Sequence, residues 1–146
     1  MSLQSTVPHI YEGLAWEELP LALRSQLPLH KSDIEKAKAI VALGFPEVQA
    51  VLPHLLVWLQ DYNWPVAQVL VPFLAGLGRD VVPEVRTVLQ GDDEVWIYWV
   101  LTKVVAEMPE DAISDLRNAL KDLADRPSVE GVDLVALEIL DGVDGE

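Results

Sequence analysis

Apolar residues recur at helical spacing along most of this chain. Over 47–60, Val48, Leu52, Leu55, Leu56 and Leu59 fall on one stripe, with His54, Val57, Trp58 and Asp61 off it. Over 64–77, Val66, Val69, Leu70, Phe73 and Leu77 are opposed by Trp64, Val71 and Ala75. Over 94–107, Ile97, Val100, Leu101 and Val104 are opposed by Val95, Trp99 and Ala106. A helix apolar on two sides must be covered on two sides, which places these two in the middle of a stack. No segment sustains the period-two alternation of a strand. The pattern predicts helices near 16–27 (started or interrupted at Pro20), 33–43, 47–60, 64–77, 81–90, 94–107, 110–125 and 131–141, with a frayed acidic end after Leu140.

The chain also matches itself at an interval of 30 residues. VLPHLLVWLQDYN (Val51–Asn63) lies over VVPEVRTVLQGDD (Val81–Asp93), pairing Val51 with Val81, Pro53 with Pro83, Leu59 with Leu89 and Gln60 with Gln90. A third copy, SDLRNALKD, pairs Leu116 with Val85 at a spacing of 31. Asp33, Asn63 and Asp93 share the 30-residue interval, each where a helix N-cap is expected. Pro65 and Pro83 suit first turns, and Gly44 and Gly78 suit helix ends. Pro53 and Pro72 fall inside predicted helices and are expected to kink or split them. These features predict an all-α fold, a short HEAT-like α-α superhelix of about seven to eight helices built from 30-residue two-helix repeats. One domain over 1–146 is expected, with 1–30 an N-terminal extension or capping helix, 31–141 the repeats and 142–146 an acidic tail.

Three strings, LPLHKSD (27–33), LLVWLQDYNWPVA (55–67) and DDEVWIYWVL (92–101), together resemble the bacterial domain-of-unknown-function 5071 family. The resemblance covers about Leu27 to Leu140 and implies short HEAT-type helices. It departs near the end, where the acid-rich run of the family is reduced to Glu130 and Asp133. It implies no particular activity.

Composition narrows the chemistry. There is no cysteine, which removes disulfides, thiolate metal sites and thiol nucleophiles, and suits a reducing compartment. No run of 18 apolar residues occurs, and no basic stretch followed by an apolar run opens the chain, so cytoplasmic residence without membrane association is expected. Net charge is −14, from 24 acids against 10 bases. Such a surface repels phosphate backbones and favours a basic protein partner, although acidity also serves solubility alone. No Gly-x-Ser-x-Gly setting is present, and Gly76 and Gly78 follow a helix and not a strand. His30 and Asp33 are too few ligands for a metal. Neither a cofactor nor a metal is expected.

The candidate partner-binding residues are His54, Trp58, Asp61 and Trp64, with Asp92, Trp96, Tyr98 and Trp99 one repeat later. A tryptophan beside unpaired carboxylates suits a partner's Lys or Arg through cation–π attraction and charge. Equally, the tryptophans suit the filling of gaps between stacked helices while the acids cap helices. The expected function is a protein-interaction module, in one version masking a basic surface as an immunity-type protein does. A HEAT-like enzyme acting on DNA bases is the catalytic alternative, disfavoured by the charge. A self-associating structural role is the third. Oligomeric state is not predicted.

Overall fold

In the computed structural model, residues 7–144 are described, Asp144 by its backbone alone. The outermost parts of the predicted extension (1–6) and tail (145–146) lie outside them. Nine α-helices and no strand occur among the described residues. They are α1 (Leu21–Arg24), α2 (Ile34–Leu43), α3 (Leu52–Leu56), α4 (Pro65–Gly76), α5 (Val82–Leu89), α6 (Glu94–Lys103), α7 (Glu110–Asp115), α8 (Arg117–Ala124) and α9 (Val132–Asp144). Short 3₁₀ turns at His9–Tyr11, Trp16–Glu18, Gln49–Val51, Val57–Gln60, Gly78–Val81 and Val105–Glu107 join or extend them. No helix among the described residues is long and apolar enough to cross a membrane.

Backbone chemistry explains where the helices start. Val51 and Val81 take nearly the same bridge-region backbone, φ −108° with ψ 9° and 0°. Each is followed by a helix whose second residue is a proline, Pro53 or Pro83, at a place where no N–H is required. The predicted 47–60 helix is divided into a 3₁₀ turn, α3 and a second 3₁₀ turn, with Pro53 at the first of the two breaks. Leu116 takes a similar conformation, φ −96° and ψ 4°, between α7 and α8. It therefore matches Val81 in its backbone, not Val85 as the sequence alignment has it.

The three expected caps differ. Asp93 Oδ1 accepts from the Trp96 N–H at 3.1 Å and caps α6. Asp33 precedes α2 but makes no capping bond; its Oδ2 accepts from the Leu29 N–H at 3.0 Å instead. Asn63 is not a cap at all, because α4 starts one residue later, after Trp64. Its N–H donates to Asp61 Oδ1 at 2.9 Å in a local turn. Pro72 does not break α4. It is exposed, as is Gln68 one turn earlier, so the carbonyl that loses its donor lies on the solvent side. Helix α9 runs beyond its predicted end, through Asp144.

Packing follows the apolar faces. Helix α2 lies on α4; α3 lies on α5; α5 also meets α6 and α8; and α9 closes against both α6 and α8. One buried cluster runs from Tyr11 through α3, α4, α5 and α6 to Leu140. Helix α4 buries one broad face, Val66, Ala67, Leu70, Val71, Leu74 and Ala75, while Val69, Phe73 and Leu77 of the predicted first face and Trp64 of the second are half-buried. In helix α6, Ile97, Val100 and Leu101 are buried, whereas on the predicted second face Trp99 is half-buried and Val95 is exposed; Ala106 falls past the helix end, in the 3₁₀ turn Val105–Glu107, and is exposed.

Candidate functional site

The predicted aromatic residues do not form one surface patch. None of the five tryptophans is exposed: Trp16 and Trp58 are buried, and Trp64, Trp96 and Trp99 are half-buried. His54 and Trp58, whose place off the leucine stripe predicts an outward face, are instead 2% and 3% exposed. They are covered by Tyr11 and Leu14, in the segment that runs from Val7 through two 3₁₀ turns and α1, and Trp64 lies beside Trp58.

A phenol lies at the centre of that contact. Tyr11, fully buried, stacks on Trp16 with ring centres 5.2 Å apart and planes 9° from parallel. Its hydroxyl donates to the Pro28 carbonyl at 2.5 Å and accepts from Trp58 Nε1 at 2.9 Å. The Trp58 ring meets Tyr11 edge-on at 6.0 Å and Trp64 edge-on at 5.8 Å. His54 Nε2–H donates to the Leu14 carbonyl at 2.8 Å, which leaves Nδ1 as a bare acceptor. Burial lowers the His54 pKa below its ordinary value, more than the bond to Leu14 raises it. Burial likewise pushes the Tyr11 phenol upward, against the pull of the Trp58 bond and with a smaller contribution from Asp33. Both groups are neutral at neutral pH.

The remaining predicted residues serve elsewhere. Asp61 forms the turn before α4, and Asp92 is exposed before α6. Trp96 Nε1 donates to the Leu56 carbonyl at 2.9 Å, tying α6 to α3. Its ring borders a small groove with Leu14, Val57 and Glu84 that has no basic residue in its lining. Tyr98 and Trp99 meet edge-on at 5.4 Å, and Trp99 lies 5.6 Å from Tyr62. Lys103 Nζ sits 4.5 Å over Tyr62 and 6.0 Å from Trp99. The cation–π position at these rings is therefore already taken by the chain's own lysine.

A larger groove of about 520 Å³ opens between α6, α7 and α9. Its walls include Tyr98, Ile113, Val135 and Ile139, and its charged members are Glu110 and Glu138; no Lys or Arg lines it. Of its lining, only Tyr98 belongs to the sequence-predicted set. No group of three or more His, Asp or Glu side chains capable of holding a metal occurs among the described residues. Sequence reasoning missed Tyr11, Leu14 and Trp16 at the first contact and Glu110 and Glu138 at the groove. The available signal was weak: Trp16 opened a predicted helix but lay outside the 30-residue match.

These helices define an all-α domain whose parts are held by apolar packing and a few buried side-chain bonds. The chain belongs to the family described as domain of unknown function DUF5071, whose model matches residues 26–140. No curated protein matches the chain at a significant level. Pro28, His54, Trp58 and most of the α6–α7–α9 groove lie within the matched region; Gly142 and Val143 of the groove follow it, and Tyr11, Leu14 and Trp16 precede it.

Proposed function

We propose that this chain is a protein-interaction module that takes a basic segment of a partner protein in the groove between α6, α7 and α9. The observation that carries the reading is the groove itself: apolar walls, two carboxylates and no cation in its lining. A Lys or Arg side chain fits such a place, with its apolar stem against Ile113, Val135 and Ile139 and its charged head at Glu110 or Glu138. The net charge of −14 steers a basic partner toward it. Masking of a basic surface, in the manner of an immunity protein, is the concrete version of this role, in a cytoplasmic setting.

The module is read as a short HEAT-like stack of two-helix repeats. Support comes from Val51 and Val81, which stand 30 residues apart with matching backbone and a proline two residues on. The stack is irregular in its last part, where Leu116 falls outside that interval. A base-processing enzyme finds no support at Trp58, which is buried, or at Trp96, whose groove holds Glu84 and no basic residue.

Capture from a native lysate at low salt tests the reading. The expected result is a basic protein retained by the native chain, eluted by salt, and lost with Glu110→Gln/Glu138→Gln. Retention of acidic proteins only, or equal retention by the double variant, would refute it.

A further inference from the structure

The segment over Val7–Ser25 is attached to the rest of the molecule in an unusual way. Its backbone–backbone hydrogen bonds are all local, from Tyr11 N–H to Pro8 O through Ser25 N–H to Leu21 O. Among the described residues, its hydrogen bonds past Leu27 are made through side chains: Tyr11 Oη to Pro28 O, in the link before α2, and, to the helical part, Trp58 Nε1 to Tyr11 Oη and His54 Nε2 to Leu14 O. Two of the three bonds pass through one phenol oxygen.

The same contact holds several of the less favourable features of the fold, although Glu84 Oε1, on α5, is also buried without a partner among the described residues. Trp16 Nε1 and His54 Nδ1 are buried without a hydrogen-bond partner among the described residues. His54 is the one buried polar or charged residue in that set. Ala15, between Leu14 and Trp16, takes a left-handed backbone with φ 54°, which a residue with a Cβ adopts only at a cost. Unpaired polar groups and backbone strain weaken the docking, while the stacked rings strengthen it. The site beneath is specific in spite of this. It offers a donor at Trp58, an acceptor at Pro28 and a second donor at His54. That set reads a phenol and a main-chain carbonyl three residues later, in one turn of chain.

The family match divides the two sides: Pro28, His54 and Trp58 are inside it, Tyr11 and Leu14 outside it. We infer that residues 7–25 are a displaceable strap filling a tyrosine-recognition slot on the helical domain, and that a tyrosine-bearing segment of a partner protein occupies the same slot when the strap lifts. The inference is independent of the acidic groove.

Hydrogen exchange on the full chain tests the strap. Amides 11–25 are expected to exchange as a unit, at least about a hundredfold faster than those of α4. Tyr11→Phe keeps the stacking and removes both phenol bonds, so strap exchange rises about tenfold while α4 is unchanged. A single common rate for strap and α4 would overturn the strap. The slot is tested with a synthetic peptide of residues 7–25 offered to the full-length Tyr11→Ala chain. Uptake is expected there and not by the native chain, and the Tyr11→Phe form of the peptide binds about tenfold more weakly. If Tyr11→Ala does not fold, the native peptide is offered to the Tyr11→Phe chain, where it outcompetes the weakened strap. A folded variant chain that takes up no peptide, or binds both peptides equally, overturns recognition of the phenol.

Discussion

The indole N–H of Trp58 ends 2.9 Å from the hydroxyl oxygen of Tyr11, across 47 residues of chain. Both rings are buried, so this bond is made without competition from water. A double-mutant cycle with Tyr11→Phe and Trp58→Phe measures it. Tyr11→Phe leaves the Trp58 N–H and the Pro28 carbonyl without this partner and costs about 1–3 kcal/mol, whereas in Trp58→Phe the Tyr11 hydroxyl keeps its bond to Pro28. The pair is expected to couple by about 1 kcal/mol in urea denaturation, since the two residues share one bond. Additive costs would show that ring packing alone holds the contact.

Acid is expected to weaken the fold through His54. Its pKa in the folded chain lies below the ordinary 6.5, because burial disfavours the charged ring. As pH falls through 6.5 the unfolded chain takes up a proton at this position while the folded chain does not. Stability from neutral His54 is therefore complete above that value and is lost on further acidification. Denaturation midpoints should fall between about pH 7 and about pH 5, and His54→Gln, which keeps a donor for Leu14, should flatten that slope. An unchanged slope in His54→Gln would assign the acid sensitivity to other groups.

Asn63 and Asp93, short polar residues thirty positions apart, should respond differently to truncation. Asp93→Ala removes a capping acceptor from the Trp96 N–H and costs about 1 kcal/mol. Asn63→Ala removes a side chain that caps nothing, and its effect should stay within about 0.5 kcal/mol. Thermal or urea melts of the two variants decide between a periodic and an individual role.

Two nearby glycines make an opposed pair. Gly76 ends α4 and needs no positive φ, and a methyl group added there would meet nothing within 4 Å, so Gly76→Ala should stabilise by about 0.5–1 kcal/mol. Gly78 has φ +57°, and its added carbon would meet Pro109 Cγ at an ordinary 3.6 Å. Gly78→Ala should therefore destabilise by about 1–2 kcal/mol through its backbone and not through a clash. Equal effects at the two positions would contradict that division.

Much of the helical framework was legible in the residues. Pro65 and Pro83 mark first turns, Gly44 and Gly78 mark ends, and Asp93 marks a start because each acts on its own few neighbours. The three strings around LPLHKSD, WLQDYNWPVA and DDEVWIYW led to the family that residues 26–140 confirm. The site was much less legible. His54 and Trp58 are off-stripe by helical periodicity, and periodicity describes a helix packed on one side. Their covering comes from Leu14 and Tyr11, 40 and 47 residues away, in a segment without regular spacing. Side-chain bonds between such distant parts leave no pattern in the sequence. Lys103 shows the same limit: nothing local indicated that it would lie over Tyr62 and so use the cation–π face of that aromatic group.

The crowding of rings around Tyr11 also has an optical consequence. Trp58 and Trp64 stand 5.8 Å apart with planes 72° from parallel, close enough for their ultraviolet transitions to mix. Trp16 lies flat against the phenol whose hydroxyl Trp58 holds. Lifting the strap would move Trp16 away and wet Trp58 at the same moment, changing both emission colour and near-ultraviolet dichroism. With no cysteine in the chain, a single thiol label can be added as an independent marker. The molecule thus reports the position of its own N-terminal segment without any added dye.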